Sequence, residues 1–122
     1  MKELFVTYEI SKLLKDKGFD EKCLAYYSNM EFCGKDSNLA PNDFGGYKYN
    51  SAIYENEVIS APTYQQVVDY LRKNHKIIIC VFNHVRNPDL YIAHISTIDF
   101  DYTSLNYYDA FTETIKKAFT LV

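Results

Sequence analysis

Apolar residues recur along three stretches of the chain with the 3.6-residue period of a helix buried on one side. In the first, Val6, Ile10, Leu13 and Leu14 stand on one stripe, which predicts a helix from about Val6 to Lys17. Gly18 follows where a left-handed C-terminal cap belongs, and Phe19 can reach back onto Leu14, the hydrophobic contact of a Schellman stop. The second begins at Ser60-Ala61-Pro62-Thr63, where Pro is tolerated in the first turn and Thr63 stands in capping-box spacing to Gln66. Its stripe is Tyr64, Val67, Val68 and Leu71, with Gln65, Asp69, Arg72 and Lys73 on the polar side, so a helix to about Asn74 is expected. In the third, Asn106 and Asp109 have cap spacing, and Tyr108, Phe111, Ile115, Ala118, Phe119 and Val122 share a face.

Shorter apolar runs between these helices read as strands. Cys23-Leu24-Ala25-Tyr26-Tyr27 is one, Gly46-Tyr47-Lys48-Tyr49-Asn50 alternates aromatic and polar as a half-exposed strand does, and Glu57-Val58-Ile59 is a third. Lys76 to Phe82 is a β-branched run suited to a central strand, and after the turn Asn87-Pro88-Asp89 the segment Leu90 to Phe100 returns as the second arm of an antiparallel hairpin. From Ser28 to Gly46 the chain collects turn residues, which predicts a long irregular loop of a size that is often functional. The order α-β-β-β-α-β-β-α favours an α+β fold, an antiparallel sheet with about three amphipathic helices on one face, as one globular domain over residues 1–122.

Composition narrows the function classes. The chain has 122 residues, 48% hydrophobic and 24% charged, ordinary values for one folded domain. Thirteen Lys and Arg against 16 Asp and Glu give a net charge of −3, which argues against nucleic acid as a partner. No run approaches the ~18 apolar residues of a spanning helix, and the opening residues lack a signal-peptide core, so a cytoplasmic protein without membrane contact is expected. Cys23, Cys33 and Cys80 are odd in number and contain no Cys-x-x-Cys, so reduced thiols fit better than a disulfide framework or a zinc knuckle. Gly45-Gly46 lacks the signature of a phosphate loop, and no motif calls for a cofactor.

The candidate chemistry lies on the hairpin. With Asn87-Pro88-Asp89 as a three-residue loop, His84 faces Ile92, His94 faces Phe82, and Cys80 faces Ser96, which sets Cys80, His84 and His94 on one sheet face. These are zinc-ligand types, but a two-residue loop would separate the histidines and no ligand spacing supports a site, so a buried thiol and two surface or internally satisfied histidines is the preferred reading. A thiol within an apolar strand (Cys80) or in a loop (Cys33) shows no sign of activation, and no catalytic or metal residue is assigned. Asp89, Asp99 and Asp101 read as solvated turn acids. Twelve Tyr and eight Phe with no Trp exceed what the helical stripes use; a Trp-free domain that builds its core from Tyr and Phe is the preferred reading, and a rigid, low-entropy Tyr contact surface is the alternative. The expected binding positions are Tyr47, Tyr49, His84, Arg86 and His94.

Three segments, Phe5-Val6-Thr7-Tyr8-Glu9-Ile10 through Lys17-Gly18-Phe19, Ala61-Pro62-Thr63-Tyr64-Gln65-Gln66-Val67-Val68-Asp69-Tyr70-Leu71-Arg72, and Tyr107-Tyr108-Asp109-Ala110-Phe111, resemble small proteins encoded by Bacteroides-type gut bacteria and by their phages and mobile elements. That family has no assigned activity, so the resemblance implies a genomic setting and no mechanism. The expectation is a non-enzymatic binding or assembly module, a phage or mobile-element accessory protein, that engages a protein partner or itself as a homo-oligomer. The alternative is a small-molecule or nucleotide-binding protein with a pocket lined by Tyr, His and Arg.

Overall fold

The computed structural model describes residues 2–34 and 58–122. After a 3₁₀ turn at Lys2–Leu4, the elements are α1 (Tyr8–Asp16), β1 (Ala25–Ser28), β2 (Glu31–Cys33), β3 (Val58–Ala61), α2 (Tyr64–His75), β4 (Ile79–Asn83), β5 (Tyr91–Ile95), β6 (Phe100–Ser104) and α3 (Tyr107–Phe119). The fold is α+β, and its described strands divide between two three-stranded antiparallel sheets where the sequence suggested one. The chain falls into two compact units, Met1–Tyr64 and Gln65–Val122. The strand expected around Tyr47 and Tyr49 lies outside the described residues.

In the first unit, α1 starts where Thr7 stops being helical: its Oγ1 accepts a hydrogen bond from the Ile10 amide at 3.3 Å, satisfying one of the open donors of the first turn. The helix ends as expected. Gly18 takes φ +87°, its amide donates to the Lys15 carbonyl at 3.1 Å, and the Phe19 amide donates to the Leu14 carbonyl at 2.9 Å, the bond pair of a Schellman motif. Ile10, Leu14 and Phe19 are all buried.

The sheet order is β2-β1-β3. β1 and β2 are joined by Asn29 and Met30, at φ 50° and 69°, with Ser28 paired to Glu31 across the turn. Positive φ at both central positions is what a type I′ hairpin requires. This corrects the long loop expected from Ser28: Met30 occupies the position where a Gly ordinarily announces such a turn, so the hairpin carries no sequence flag, and Cys33 is buried on a strand. Tyr27, 5% exposed, donates its phenolic proton to the Val6 carbonyl at 2.8 Å, and the Val6 amide donates to the Pro62 carbonyl at 3.0 Å. Phe5, Ala25, Tyr27 and Ala61 form a buried cluster edged by Tyr8 and Phe32, whose rings meet Tyr27 edge-on. Burial first, and the neighbouring Tyr64 second, push the Tyr27 phenol up to about 12.

α2 begins directly after Thr63 with Tyr64, the last residue of the first unit, and continues as the start of the second; its buried residues Tyr64, Val67 and Leu71 keep the expected stripe. It stops without glycine: Lys76 takes φ 57°, and the Ile77 amide turns back to the Leu71 carbonyl at 3.1 Å. β4, β5 and β6 then run as an antiparallel meander. The single return strand expected over Leu90 to Phe100 is two strands, β5 and β6, separated by a turn at 96–99 in which Asp99 adopts φ 53°. Ile79, Ala93 and Ile95 are buried on one face, against which α3 packs with Ala110, Phe111, Ile115, Ala118 and Phe119 buried. Asn106 caps α3 as expected, its Oδ1 accepting from the Asp109 amide at 2.9 Å.

Candidate functional site

The face of the second sheet opposite α3 follows from strand alternation. Ile79, Ala93 and Ile95 point to the core, so Cys80, Phe82, Ile92, His94, Asp101 and Thr103 point the other way. The observed register pairs Cys80 with His94, Phe82 with Ile92, His94 with Asp101 and Ile92 with Thr103. Two parallel rows therefore cross three strands: Cys80-His94-Asp101 and Phe82-Ile92-Thr103.

This register is displaced by two residues from the expected one, which set Cys80 against Ser96 and Phe82 against His94. The cause is the connection. His84 donates its amide to the Leu90 carbonyl at 2.9 Å, so five residues, Val85 to Asp89, lie outside the closing pair in place of the three expected. A slip of two preserves the face of every side chain, which is why Cys80 and His94 still share one.

The connection accounts for His84. Its Nδ1 accepts from the amides of Arg86 at 3.1 Å and Asn87 at 3.2 Å, while the Asn83 side-chain amide donates to the Pro88 carbonyl at 2.8 Å. His84 thus holds the loop closed, and that nitrogen is engaged. Arg86 stands exposed in the same loop. His94 is four residues from Leu90, the partner of His84, about 13 Å along an extended strand, so the two imidazoles do not converge. Tyr47 and Tyr49 lie outside the described residues. Of the three expected binding positions among the described residues, His94 stands in the middle of the exposed face, and His84 and Arg86 lie in the loop at its end.

His94 has a partner the sequence reading missed. Its Nδ1 lies 2.5 Å from Asp101 Oδ1, with the imidazole more shielded than the carboxylate. An ionised carboxylate only accepts, so Nδ1 is the donor and a neutral ring presents Nε2 as an acceptor. The ladder explains the close approach. The His84–Leu90 and Ser96–Ile78 bonds fix the hydrogen-bonded rungs of β4 and β5 on alternate pairs that include Cys80–His94, so His94 and Asp101 form a non-hydrogen-bonded pair, in which side chains stand closer. The signal that could have found Asp101 was the period-two alternation of Phe100-Asp101-Tyr102-Thr103-Ser104 after a turn ending in Asp, a residue tolerant of positive φ.

Cys80 is exposed, which corrects the buried thiol expected of an apolar run, whereas Cys23 and Cys33 are each 1% exposed. All three are free thiols. Among the described residues no group of three or more His, Cys, Asp and Glu side chains is placed to hold a metal ion. The face also exposes Phe82 at 47%, and Val85 projects from the loop at its end. The tyrosines Tyr91, Tyr107 and Tyr108 are engaged with one another and with Phe111 through edge-to-face contacts at ring separations of 5.0 to 5.4 Å. Burial, then Tyr108 and Tyr91, raise the Tyr107 phenol. No family profile, curated protein or solved structure matches the chain.

Proposed function

We propose that the protein is a non-enzymatic assembly module that pairs with a second copy of itself through β4, in the cytoplasm and, on the resemblance of its three segments, as an accessory protein of a phage or mobile element. The observation that carries the reading is the character of β4: among the described residues it is an edge of its sheet, its residues Ile-Cys-Val-Phe-Asn bear no charge, and Phe82 is half exposed. An edge strand of a protein kept apart from its copies ordinarily carries Lys, Pro or another blocking residue. The opposite edge, β6, has Asp101 within it and Asp99 just before it, so two copies meeting there would oppose like charges. β4 against β4 opposes none, and a two-fold axis between them extends the sheet from three strands to six. Free thiols agree with a reducing compartment, and no described helix is long and apolar enough to cross a membrane.

The test is native mass spectrometry with light scattering on the purified chain, Phe82→Lys and Thr103→Lys. The expected result is a dimer for the wild-type chain and for Thr103→Lys, whose new charge lies on β6, and a monomer for Phe82→Lys. A wild-type monomer at all concentrations, or dissociation by Thr103→Lys and not by Phe82→Lys, overturns the reading.

A further inference from the structure

We infer that the Cys80-His94-Asp101 row is a thiol-exchange site, at which Cys80 takes up one half of a small neutral or cationic disulfide. Cys80 differs from the other two thiols in both respects that reactivity needs: it is exposed, and the residue directly opposite it is a histidine. Directly opposed side chains on a sheet have Cβ atoms ~5 Å apart, so a rotation of the exposed Cys80 side chain can turn Sγ toward the imidazole. Asp101 holds Nδ1 at 2.5 Å as the donor, which leaves Nε2 as the acceptor for the thiol proton and fixes the ring's orientation. Nucleophile, base and orienting carboxylate thus stand on three adjacent strands of one face.

The exchange is balanced without a further reagent. The Cys80 thiol attacks one sulfur of the disulfide as its proton passes to His94 Nε2; the reagent's S–S bond breaks as the Cys80 S–S bond forms, and the departing thiolate takes the proton back from His94 as a free thiol. The oxidation level of the disulfide is transferred intact to the protein. The charge at the row is the Asp101 carboxylate, and the neighbouring row of Phe82, Ile92 and Thr103 is uncharged, which disfavours anionic disulfides. The inference does not depend on pairing through β4, because edge pairing joins backbone groups in the plane of the sheet and leaves the outer face, on which Cys80 and His94 stand, open.

The test is the rate at which native protein forms a mixed disulfide with cystamine, read by intact mass and located by peptide mapping. A single adduct on Cys80 is expected, with buried Cys23 and Cys33 unreacted. His94→Gln slows it about tenfold and Asp101→Asn about threefold, modest for a general base because exchange rates also follow the thiol's own nucleophilicity. Asp101→Glu restores the rate, and free imidazole restores it in His94→Gly, neither of which a purely structural role would produce. Melting curves of each variant identify any that fails to fold, in which case the Asp101→Asn and Asp101→Glu comparison decides. Equal rates in wild-type and His94→Gln protein, or loss of rate that neither imidazole nor Asp101→Glu recovers, overturns the inference.

Discussion

Tyr27 joins a buried hydrogen bond to a titration, and the two act in different pH ranges. Near neutral pH the phenol is protonated in folded and unfolded chains alike, so its ionisation has no effect on stability there. As pH rises past 10.0, the usual tyrosine value, the unfolded chain loses the proton while the folded one keeps it to about 12, and stability falls across that window. The expected loss is about 2–3 kcal/mol, because each tenfold difference in proton affinity between the folded and unfolded chains is worth about 1.4 kcal/mol. Tyr27→Phe removes the donor to the buried Val6 carbonyl, costs about 1–2 kcal/mol at neutral pH, and flattens the alkaline slope, as urea unfolding across a pH series would register. Gly18 raises a purely conformational question. A Cβ there meets nothing within 4 Å, but φ is +87°, so Gly18→Ala is expected to destabilise by about 1–2 kcal/mol through backbone strain alone. An unchanged melting temperature would show that the Schellman turn can re-form with another residue.

At the scale of elements, what was legible depended on whether the chain advertises its own punctuation. α1 was legible from its stripe and its Gly18 stop, although its Thr7 cap was not read and its start was set two residues early; α3 was legible because Asn106 caps it, and α2 because Pro62-Thr63 precedes a clean stripe. The β1–β2 hairpin was not, since Asn29-Met30 makes a turn that Asn-Gly would have announced. Met30 is exposed, and its left-handed backbone gives it no packing in return for the strain. Met30→Gly is therefore expected to stabilise by about 0.5–1 kcal/mol, seen as a raised melting temperature. In the second sheet the sequence placed Cys80 and His94 on one face but merged β5 with β6. Asp101, the residue that orients His94, was thereby read as a turn acid. Parity survived the error in register because it tolerates slips of two; the identity of the cross-strand partner does not.

For the molecule as a whole, the α+β class followed from element order and patterning, while the division of the described strands between two sheets depends on pairings that no local pattern encodes. The proposed pairing of two copies through β4 would carry its own thermodynamic mark. A dimer more stable than its separated chains melts at a temperature that rises with protein concentration, so the wild-type transition should shift upward across a dilution series and that of Phe82→Lys should not. The connections between strands have a kinetic consequence. β4, β5 and β6 are linked by short turns, and β1 meets β2 across two residues, but β1 meets β3 only after residues 34–57 have been spanned. A pairing between strands so far apart in sequence loses more chain entropy before any contact repays it, so the docking of β3, and with it the Tyr27 cluster, is expected as the late event in refolding, with the β1–β2 and β4–β5–β6 amides protected first in pulse-labelled hydrogen exchange.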